Sequence, residues 1–325
     1  MSTKLRVFPA ISRNRDPKKY VGELMRVADF ADRNGFAGIL LFEGNDVFVA
    51  PWAMAQHIIA NTTRSSPLIA VNPLYMHPFT AAKFVSSFAQ LYSRKVYLNM
   101  ITGTAVSDLE GLGDTRSHAE RYARLGEFVA IMRQLLASPR PVNLNGQFYT
   151  ASNLQLRPRL APELMPEFLI AGQSEAAQRV AQETGCIKMQ MLPPDLDKSL
   201  RAPGMNFGIF ARETRDEART AAQRRFRDNP DDRELLTLTM GNTDSVWKRH
   251  LYDGQTGDLH DNGYWLLPFL TFQADCPYLV GSYAEIGAKL KSFADKGLTT
   301  VMLDMVADET EMQHVCKALA ASGVF

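Results

Sequence analysis

Short, continuously apolar runs alternate with helical patterns along almost the whole of this 325-residue chain. The run at 5–11, for example, precedes a segment at 17–35 whose apolar residues recur at helical spacing and whose Gly35 is the expected stop. Roughly eight such strand–helix units follow one another. Because the runs lack strict alternation of polar and apolar residues, they indicate parallel strands covered by helices. Eight units favour an α/β fold, a (β/α)8 TIM barrel with insertions at its C-terminal face, over an open doubly wound sheet.

We expect one domain over residues 1–325, interrupted by two segments that do not fit the alternation. In residues 138–165, Asn145-Gly146 stands between apolar runs and predicts a hairpin turn. Residues 228–281 are rich in Gly, Asp and aromatic residues and fit neither a strand nor a single helix. Long insertions of this kind are either substrate-binding lids or packing excursions, and the sequence leaves both readings open.

Charge and cysteine content narrow the possible classes of function. The chain has 36 basic and 35 acidic residues, a net charge of +1, which indicates no surface for nucleic acid or for a membrane. Its three widely spaced cysteines form neither a disulfide framework nor a metal-ligand pattern, so no metal site is expected. The first residues lack a signal-peptide core and no apolar run reaches transmembrane length, so we expect a cytoplasmic protein.

The stretch "LNMITGTAVSDLEGLGDTRSHAERY" at 98–122 concentrates polar groups between an apolar strand and a helix start. Ser117 and Glu120 form a capping box, which predicts that a helix begins there. His118 and Tyr122 extend the apolar stripe of that helix back to the exit of the strand. An imidazole and a phenol are thereby placed at the C-terminal rim, where barrels bind ligands. The alternative is that both simply pack beneath the loop, and spacing alone does not decide.

The sequence Gly172-Gln173-Ser174 links another apolar strand to a helix. Unpaired backbone N–H groups and the helix dipole at such a start favour an anion. Gly172 would allow a phosphate to approach the backbone closely. Ser174 fits either a plain helix N-cap or a phosphate ligand, and the neighbouring glycine favours the ligand.

These motifs resemble the signature of the bacterial-luciferase-like flavin monooxygenases, in particular the branch of alkanesulfonate and nitrilotriacetate monooxygenases. In that branch a strand ending in N-x-x-T-G runs through an acidic, glycine-bearing loop into H-x-E-R-Y. The segments "LIAGQSEAAQRVAQETG", "ARETRDEA" and "LVGSYAEIGAKLKSFADKGLTTVML" resemble further parts of the family, so the similarity spans nearly the whole chain. The resemblance implies a (β/α)8 barrel that binds reduced FMN.

The resemblance also implies which residues bind the cofactor. The flavin phosphate and ribityl chain would lie near His118, Tyr122, Gly172, Gln173 and Ser174. This agrees with the anion site that the helix start itself predicts.

Further residues are assigned around the flavin ring. Asn99 and Thr102 would lie nearer the isoalloxazine, and Asn99 is a candidate catalytic residue together with Glu43 at the end of the second strand. A carboxylate at that rim is either catalytic or paired with a neighbouring cation. Arg121 is either a surface residue of the helix or a ligand.

The implied function is an FMN-dependent monooxygenase of a two-component system. A separate NAD(P)H:flavin reductase would supply FMNH2, which the barrel would use with O2 to oxygenate a small organic substrate, free or tethered to a carrier protein. No G-x-G-x-x-G fingerprint opens a strand–helix unit, which fits a protein that does not reduce its own flavin. The alternatives are a reductase or dehydrogenase of the same fold that uses the deazaflavin F420, against which H-x-E-R-Y argues, and a flavin-binding protein without turnover.

Three polar groups of the sulfonate enzymes are missing: a cysteine after the second strand, a histidine before "RET" and an arginine before "LVG". The matching positions hold Val47 or Phe48, Gly208 and Phe272. Because a buried sulfonate needs a cationic or donor-rich partner, the substrate is not expected to be an alkanesulfonate. The expected substrate pocket is lined by Phe8, Val47, Phe48 and Phe272. The alternative is that Arg13 or Arg15 binds the anion instead.

The second and third helices carry more apolar residues than one stripe requires. These residues are Trp52, Met54, Ile58, Ile59, Phe79, Phe84, Phe88 and Leu91. Extra apolar faces indicate a partner surface, and the family commonly dimerises through this region, so a homodimer or homotetramer is implied. The alternative is that these residues lie under the insertions.

Overall fold

The structure is a computed structural model that describes residues 4–11, 16–196, 200–253 and 256–325. Arg13 and Arg15, the alternative anion ligands, lie outside the described residues. The fold is the predicted α/β (β/α)8 barrel. The chain divides into two compact units, of which unit 1 comprises Met1–Ile39, Met189–Thr243 and Trp247–Phe325, and unit 2 comprises Leu40–Lys188 and Asp244–Val246.

Strands and helices follow one another along most of the chain. The strands are β1 (Arg6–Ile11), β2 (Leu40–Leu41), β3 (Leu68–Val71), β4 (Tyr97–Met100), β5 (Val142–Asn145), β6 (Thr150–Leu154), β7 (Glu167–Ala171), β8 (Ile187–Met191), β9 (Gly204–Arg212), β10 (Tyr264–Trp265), β11 (Tyr278–Ser282) and β12 (Thr300–Met305). The helices are α1 (Pro17–Arg33), α2 (Pro51–Asn61), α3 (Pro78–Tyr92), α4 (Val106–Gly111), α5 (His118–Ala137), α6 (Glu175–Thr184), α7 (Arg215–Arg225), α8 (Pro230–Gly241), α9 (Val246–Tyr252), α10 (Leu267–Leu270), α11 (Tyr283–Asp295) and α12 (Glu309–Ala321).

In unit 1, β12 pairs in parallel with β1 and β9, and β9 also pairs in parallel with β8 and β11. The short β10 runs antiparallel to β11. Every residue of β12 is buried, as are five of the six residues of β1. This is the burial expected of strands covered on both faces, and it explains why their sequences are continuously apolar.

In unit 2, β2, β3, β4 and β7 form a parallel sheet in that order. Helix α5 packs against α3 and α6. The predicted apolar stripe of α5 is confirmed, since its members are buried: Leu125, Phe128, Val129, Met132 and Leu136. A helix with one buried stripe and a capped start has little freedom to rotate, which fixes the direction of the side chains at its first turn.

Two local features differ from the sequence-based expectation. Strand β2 contains only Leu40–Leu41, because only these residues pair with β3, so Glu43 follows the second strand by two residues instead of ending it. A helix that the sequence did not predict, α4, forms within the glycine-bearing loop after β4.

The predicted insertion at 228–281 contains regular structure after all: helices α8, α9 and α10, strand β10 and most of β11. Its aromatic residues Trp265 and Tyr278 join Phe210 and Phe226 in one buried cluster. Part of this segment is therefore a packing excursion, because its aromatic residues complete a buried cluster with residues outside it.

The hairpin at 138–165 is confirmed, although its turn differs from the prediction. Strands β5 and β6 are antiparallel, and the chain turns over residues 146–149 rather than over two residues. The Glu127 carboxylate of α5 accepts hydrogen bonds from three successive backbone N–H groups, those of Gln147 (2.7 Å), Phe148 (3.0 Å) and Tyr149 (3.1 Å). A charged acceptor thus satisfies the donors of the turn and ties the hairpin to α5.

Replacing Glu127 by alanine is expected to lower the free energy of unfolding by about 1–3 kcal/mol, because three N–H groups lose a charged acceptor. Chemical denaturation measures the change. The matched control is Glu183→Ala at an exposed site on α6, which is expected to change stability by no more than about 0.5 kcal/mol. Equal stability of the two variants would show that the carboxylate does not anchor the hairpin.

Among the described residues, no group of three or more His, Cys, Asp and Glu side chains is arranged to hold a metal ion. The three cysteines are free, with Cys186 and Cys276 buried. No helix in the described part of the chain has the length and apolar character needed to cross a bilayer.

Candidate functional site

The first turn of α5 begins as its sequence predicts. Ser117 is the N-cap, and its hydroxyl accepts a hydrogen bond from the Glu120 N–H (3.3 Å) while the Glu120 carboxylate accepts one from the Ser117 N–H (2.9 Å). This capping box fixes His118 as the first helical residue. Tyr122 follows one turn later, and the two rings lie 5.1 Å apart between centroids.

The strand before this helix ends in the predicted N-x-x-T-G pattern, and the glycine has a physical reason. Gly103 has a φ of 73°, in the left-handed region that side chains with a Cβ rarely adopt. A Cβ there would also lie 3.0 Å from the Asn72 amide nitrogen. Glycine therefore lets the chain turn sharply out of β4 and towards α5.

The turn between β7 and α6 lies next to this first helical turn. Ser174 is the N-cap of α6, and its hydroxyl oxygen accepts a hydrogen bond from the Ala177 N–H (3.2 Å). The same oxygen lies 3.1 Å from His118 Nε2. The backbone carbonyl of Gln173 accepts a hydrogen bond from the Gln178 side chain (3.0 Å). Two helix starts that are remote in sequence thus share one polar contact.

The Tyr122 hydroxyl lies directly against Gly172. A Cβ at this position would overlap that hydroxyl and would lie 2.8 Å from the Ala177 Cβ. Burial raises the pKa of Tyr122 to about 12, although a hydrogen bond with the Thr102 side chain opposes the shift. The phenol is therefore protonated at neutral pH and available as a donor.

A buried arginine and an aspartate complete this group of residues; the sequence left Arg121 open between a surface residue and a ligand, and it did not single out Asp244. The Arg121 side chain is 4% exposed, so it is not a surface residue of the helix. It is paired with Asp244, which lies between α8 and α9 and 123 residues away in sequence. His118 Nδ1 lies 3.4 Å from the same Asp244 Oδ2, an ion-pair distance rather than a well-formed hydrogen bond.

Asp244 is ionised in this setting. Burial alone would raise the pKa of its carboxyl, but the contacts with His118 and Arg121 and the nearby positive charge hold the pKa below its ordinary value. Its Oδ1 atom is buried and has no hydrogen-bond partner among the described residues. A buried acceptor without a partner is costly. The Arg121 pair and the backbone nevertheless hold the carboxylate in this position.

The predicted ring-side residues lie at the carboxyl ends of β4 and β2. Asn99 is 5% exposed, and its Oδ1 is buried without a hydrogen-bond partner in the part of the chain that the structure covers. Glu43 is half-buried; burial raises the pKa of its carboxyl, and a hydrogen bond from the Gly44 N–H (3.2 Å) opposes this. No described cation forms an ion pair with Glu43.

The predicted pocket residues differ in exposure. Phe8 is fully buried in β1, whereas 43% of Phe48 is exposed. Val47 is partly exposed, and Phe272 has a φ of 54°, a left-handed conformation that is unusual for a residue with a Cβ. Phe8 and Phe272 belong to unit 1 and the other two to unit 2, so a shared pocket stays a prediction.

The chemistry of these groups fits the phosphate and ring of a flavin nucleotide. Ser174, Tyr122 and His118 supply a hydroxyl, a phenol and an imidazole beside the N-terminus of α6, which is a set of donors suited to an anion. The unpartnered Asn99 Oδ1 suits a ring N–H. Gly172 is needed for the close approach of the tyrosine.

Comparisons with known proteins agree with this architecture. The model of the luciferase-like monooxygenase family matches residues 5–300. The 4-(gamma-L-glutamylamino)butanoyl-[BtrI acyl-carrier protein] monooxygenase BtrO of Niallia circulans is 29% identical over 319 residues, which cover 94% of this chain and 93% of that protein.

Comparison with solved structures supports the same fold. The EDTA monooxygenase of Chelativorans sp. BNC1 aligns with a TM-score of 0.70 and 14% identity, covering 99% of this chain and 95% of that one. The oxygenating constituent of 3,6-diketocamphane monooxygenase of Pseudomonas putida, in complex with FMN, aligns with a TM-score of 0.68 and 16% identity, covering 100% and 98%. Since the family model covers most of its length, this chain belongs to the luciferase-like monooxygenases.

Proposed function

We propose that this monooxygenase uses FMN, receives it as FMNH2 from a separate NAD(P)H:flavin reductase, and oxygenates a small organic substrate. The net reaction consumes FMNH2, O2 and substrate and yields FMN, water and the oxygenated product. The observation that carries the proposal is the meeting of His118, Tyr122 and Ser174 at the start of α6. These donors suit the phosphate that distinguishes FMN from riboflavin.

In this proposal the residues divide into two groups. The phosphate is held by Ser174, Tyr122, His118 and the backbone of Gly172 and Gln173. Asn99 and Thr102 lie nearer the ring. When bound, the reduced flavin supplies the chemistry with O2, while the protein binds, orients and excludes water.

Glu43 is proposed to act as a proton donor or acceptor at the C-terminal rim of the barrel. Its raised pKa and the absence of an ion-paired cation among the described residues favour a functional carboxylate over a structural salt bridge. Its described hydrogen bond comes from the adjacent Gly44 N–H.

The named relatives suggest the range of substrates. BtrO acts on an acyl group bound to a carrier protein, and at 29% identity a carrier-tethered substrate is a candidate here. The diketocamphane enzyme was solved with FMN, which supports flavin use. A free small molecule is the other candidate.

The substrate is proposed to lack a sulfonate. At Gly208, where the sulfonate enzymes carry histidine, a Cβ would run into the ring of Tyr278. The Tyr278 hydroxyl donates to the buried Asp304 carboxylate (2.6 Å). The space for a histidine side chain is thus filled by an aromatic ring tied to an anionic group, which is unfavourable for a sulfonate.

Steady-state turnover with short alkanesulfonates, FMN and a competent reductase tests this point. We expect no sulfite release above the background without enzyme, because the three polar groups that would neutralise a sulfonate are replaced by Val47 or Phe48, Gly208 and Phe272. Uncharged and aromatic compounds, assayed in parallel, are expected to lower the yield of H2O2 per FMNH2 oxidised. Efficient sulfite release would refute the substrate assignment.

A homodimer is proposed through the α2–α3 face. Most of the eight apolar residues of these helices are buried within the protomer, but Phe84 and Leu91 remain 39% and 67% exposed. Phe84 also stacks on Trp52, with centroids 5.1 Å apart. Light scattering at micromolar concentration is expected to give at least twice the protomer mass, and Leu91→Glu is expected to weaken assembly. A monomeric native protein would contradict the proposal.

The alternative of a flavin-binding protein without turnover is tested by the amount of H2O2 formed when reduced flavin is oxidised. An enzyme is expected to give less than one H2O2 per FMNH2 oxidised when a suitable substrate is present, because oxygen enters the product. A flavin-binding protein without turnover would give the same H2O2 yield and the same reoxidation rate with every compound.

A further inference from the structure

A cavity lies beside the last turns of α5, at the opposite end of this helix from His118 and Tyr122. Its walls come from Gln134 and Leu135 of α5, from the β5–β6 hairpin and from the segment that follows β6. At 1.5 Å of rise per residue, Gln134 lies about 24 Å further along α5 than His118. The cavity is therefore separate from the proposed phosphate site, although both belong to unit 2.

Three arginines surround the mouth of this cavity, which we call the arginine cavity. Arg140, Arg157 and Arg159 line it, and no aspartate or glutamate is among its lining residues. None of the three guanidiniums forms an ion pair with a carboxylate in the part of the chain that the structure describes. Positive charges that lie together without a compensating acid attract an anion from solution.

One of the guanidiniums is held in place by a neighbouring amide. The Nε and Nη2 atoms of Arg157 donate hydrogen bonds to the Gln155 Oε1 atom at 3.1 and 2.7 Å. The same segment is tied to α5, since the Leu160 N–H donates to the Leu136 carbonyl (3.2 Å). A guanidinium has five N–H donors, so those that Gln155 does not use are available to a ligand.

Beneath the arginines the cavity is apolar. Leu135, Val142 and Leu156 line it and are 2%, 1% and 8% exposed. The space amounts to about 310 Å³, part of it open to solvent. Small-molecule sites commonly combine an apolar lining with a few polar groups that fix the orientation of the ligand. The arrangement suits an anionic head group at the mouth and a short apolar chain on the floor.

Stabilisation of the helix end does not account for all of this charge. Helix α5 ends at Ala137, and the free carbonyl groups of a helix C-terminus carry about half a negative charge. Arginines near such an end are favourable for this reason. Half a charge is nevertheless much less than the charge of three guanidiniums, so most of the positive charge still lacks a partner among the described residues.

We propose that the arginine cavity is a second ligand site, which binds a small organic anion: a carboxylate or a phosphate monoester that carries a short apolar chain. Arg157 and Arg159 bind the head group, because a planar guanidinium matches two oxygens of either anion. The chain lies on Leu135, Val142 and Leu156. The lining contains no acid or imidazole, so this is a site for binding rather than for turnover. The assignment goes beyond the proposed function and does not depend on it.

Isothermal titration calorimetry with hexyl phosphate and with hexanoate tests the proposal. The protein is first saturated with FMN, so that an anion site at His118 and Ser174 is already occupied. At least one of the two probes is expected to bind about tenfold or more tightly than inorganic phosphate, which lacks the chain, and than hexanol, which lacks the charge. The tighter of the two probes identifies the head group as a phosphate or a carboxylate.

Two pairs of arginine substitutions locate the binding. Arg157→Gln with Arg159→Gln is expected to weaken the tighter probe at least about tenfold. Arg224→Gln with Arg227→Gln removes the same charge from exposed positions of unit 1 and is expected to change the affinity less than about twofold. All four arginines are exposed, so both variants are expected to unfold within a few degrees of the native protein.

Each contrary result has a definite meaning. Unchanged affinity in Arg157→Gln with Arg159→Gln would place the probe elsewhere, and equal weakening in the two double variants would reduce the effect to overall charge. Inorganic phosphate that binds as tightly as both probes would indicate an adventitious ion only. Hexanol that binds as tightly as both probes would show that the arginines are not used. Any of these results would overturn the proposal, and none of them bears on the flavin site.

Discussion

Replacing Ser174 by alanine together with Tyr122 by phenylalanine is expected to weaken FMN binding about 100-fold. Each substitution removes a donor to a charged phosphate, which is worth about 1.5–3 kcal/mol. The two hydroxyls belong to one network through His118 and Gly172, so their effects are not expected to add fully. A flavin fluorescence titration measures the affinity, and riboflavin serves as the ligand without the phosphate.

A control separates the loss of the ligand contact from the loss of the helix cap. Ser174 caps α6, so its removal also costs about 1 kcal/mol of stability. Ser282→Ala removes an equivalent cap from α11, whose Glu285 N–H donates to the serine hydroxyl (3.2 Å), and this cap lies in unit 1. This control is expected to lose stability and to retain FMN affinity. Unchanged FMN affinity in the double variant would place the phosphate elsewhere.

Gly172→Ala is expected to damage the same site by steric means. The added methyl would overlap the Tyr122 hydroxyl and would crowd the Ala177 Cβ. Forcing these groups apart is expected to cost about 1–3 kcal/mol of stability and to reduce FMN affinity at least tenfold, because the phenol and the start of α6 can no longer lie together. Thermal unfolding and FMN titration measure the two effects.

Gly126 on α5 provides the matched glycine-to-alanine control. A Cβ there would lie 3.5 Å from Val180 Cγ1, an ordinary contact, and alanine favours the helix by up to about 1 kcal/mol. In the Tyr122→Phe background the cost of Gly172→Ala is expected to shrink, because the overlapping hydroxyl is gone. If Gly172→Ala behaved like Gly126→Ala, close packing at Gly172 would not be a requirement of the site.

The helix starts and turns of the site could be predicted from the sequence. The capping box placed His118 and Tyr122, and the glycine before Ser174 indicated a close approach of the backbone. These predictions succeed because helix starts and turns depend on residues only a few positions apart.

Contacts between remote segments could not be predicted in the same way. Arg121 is buried because Asp244 neutralises it, and nothing near either residue in the sequence signals a partner 123 positions away. The need for glycine at position 208 depends on the register of neighbouring strands, in which Tyr278 of β11 lies opposite Gly208 of β9. A single sequence carries no information on such register, because many pairings satisfy the same apolar pattern.

The central claim is that this chain binds reduced FMN through its phosphate. Anaerobic titration of the protein with FMNH2, reduced riboflavin and the reduced deazaflavin cofactor tests it most directly. FMNH2 is expected to bind at least about tenfold more tightly than reduced riboflavin, since two or more donors contact the phosphate. The deazaflavin is expected to bind more weakly than FMNH2. Equal affinity for FMNH2 and reduced riboflavin, or a preference for the deazaflavin, would contradict the claim.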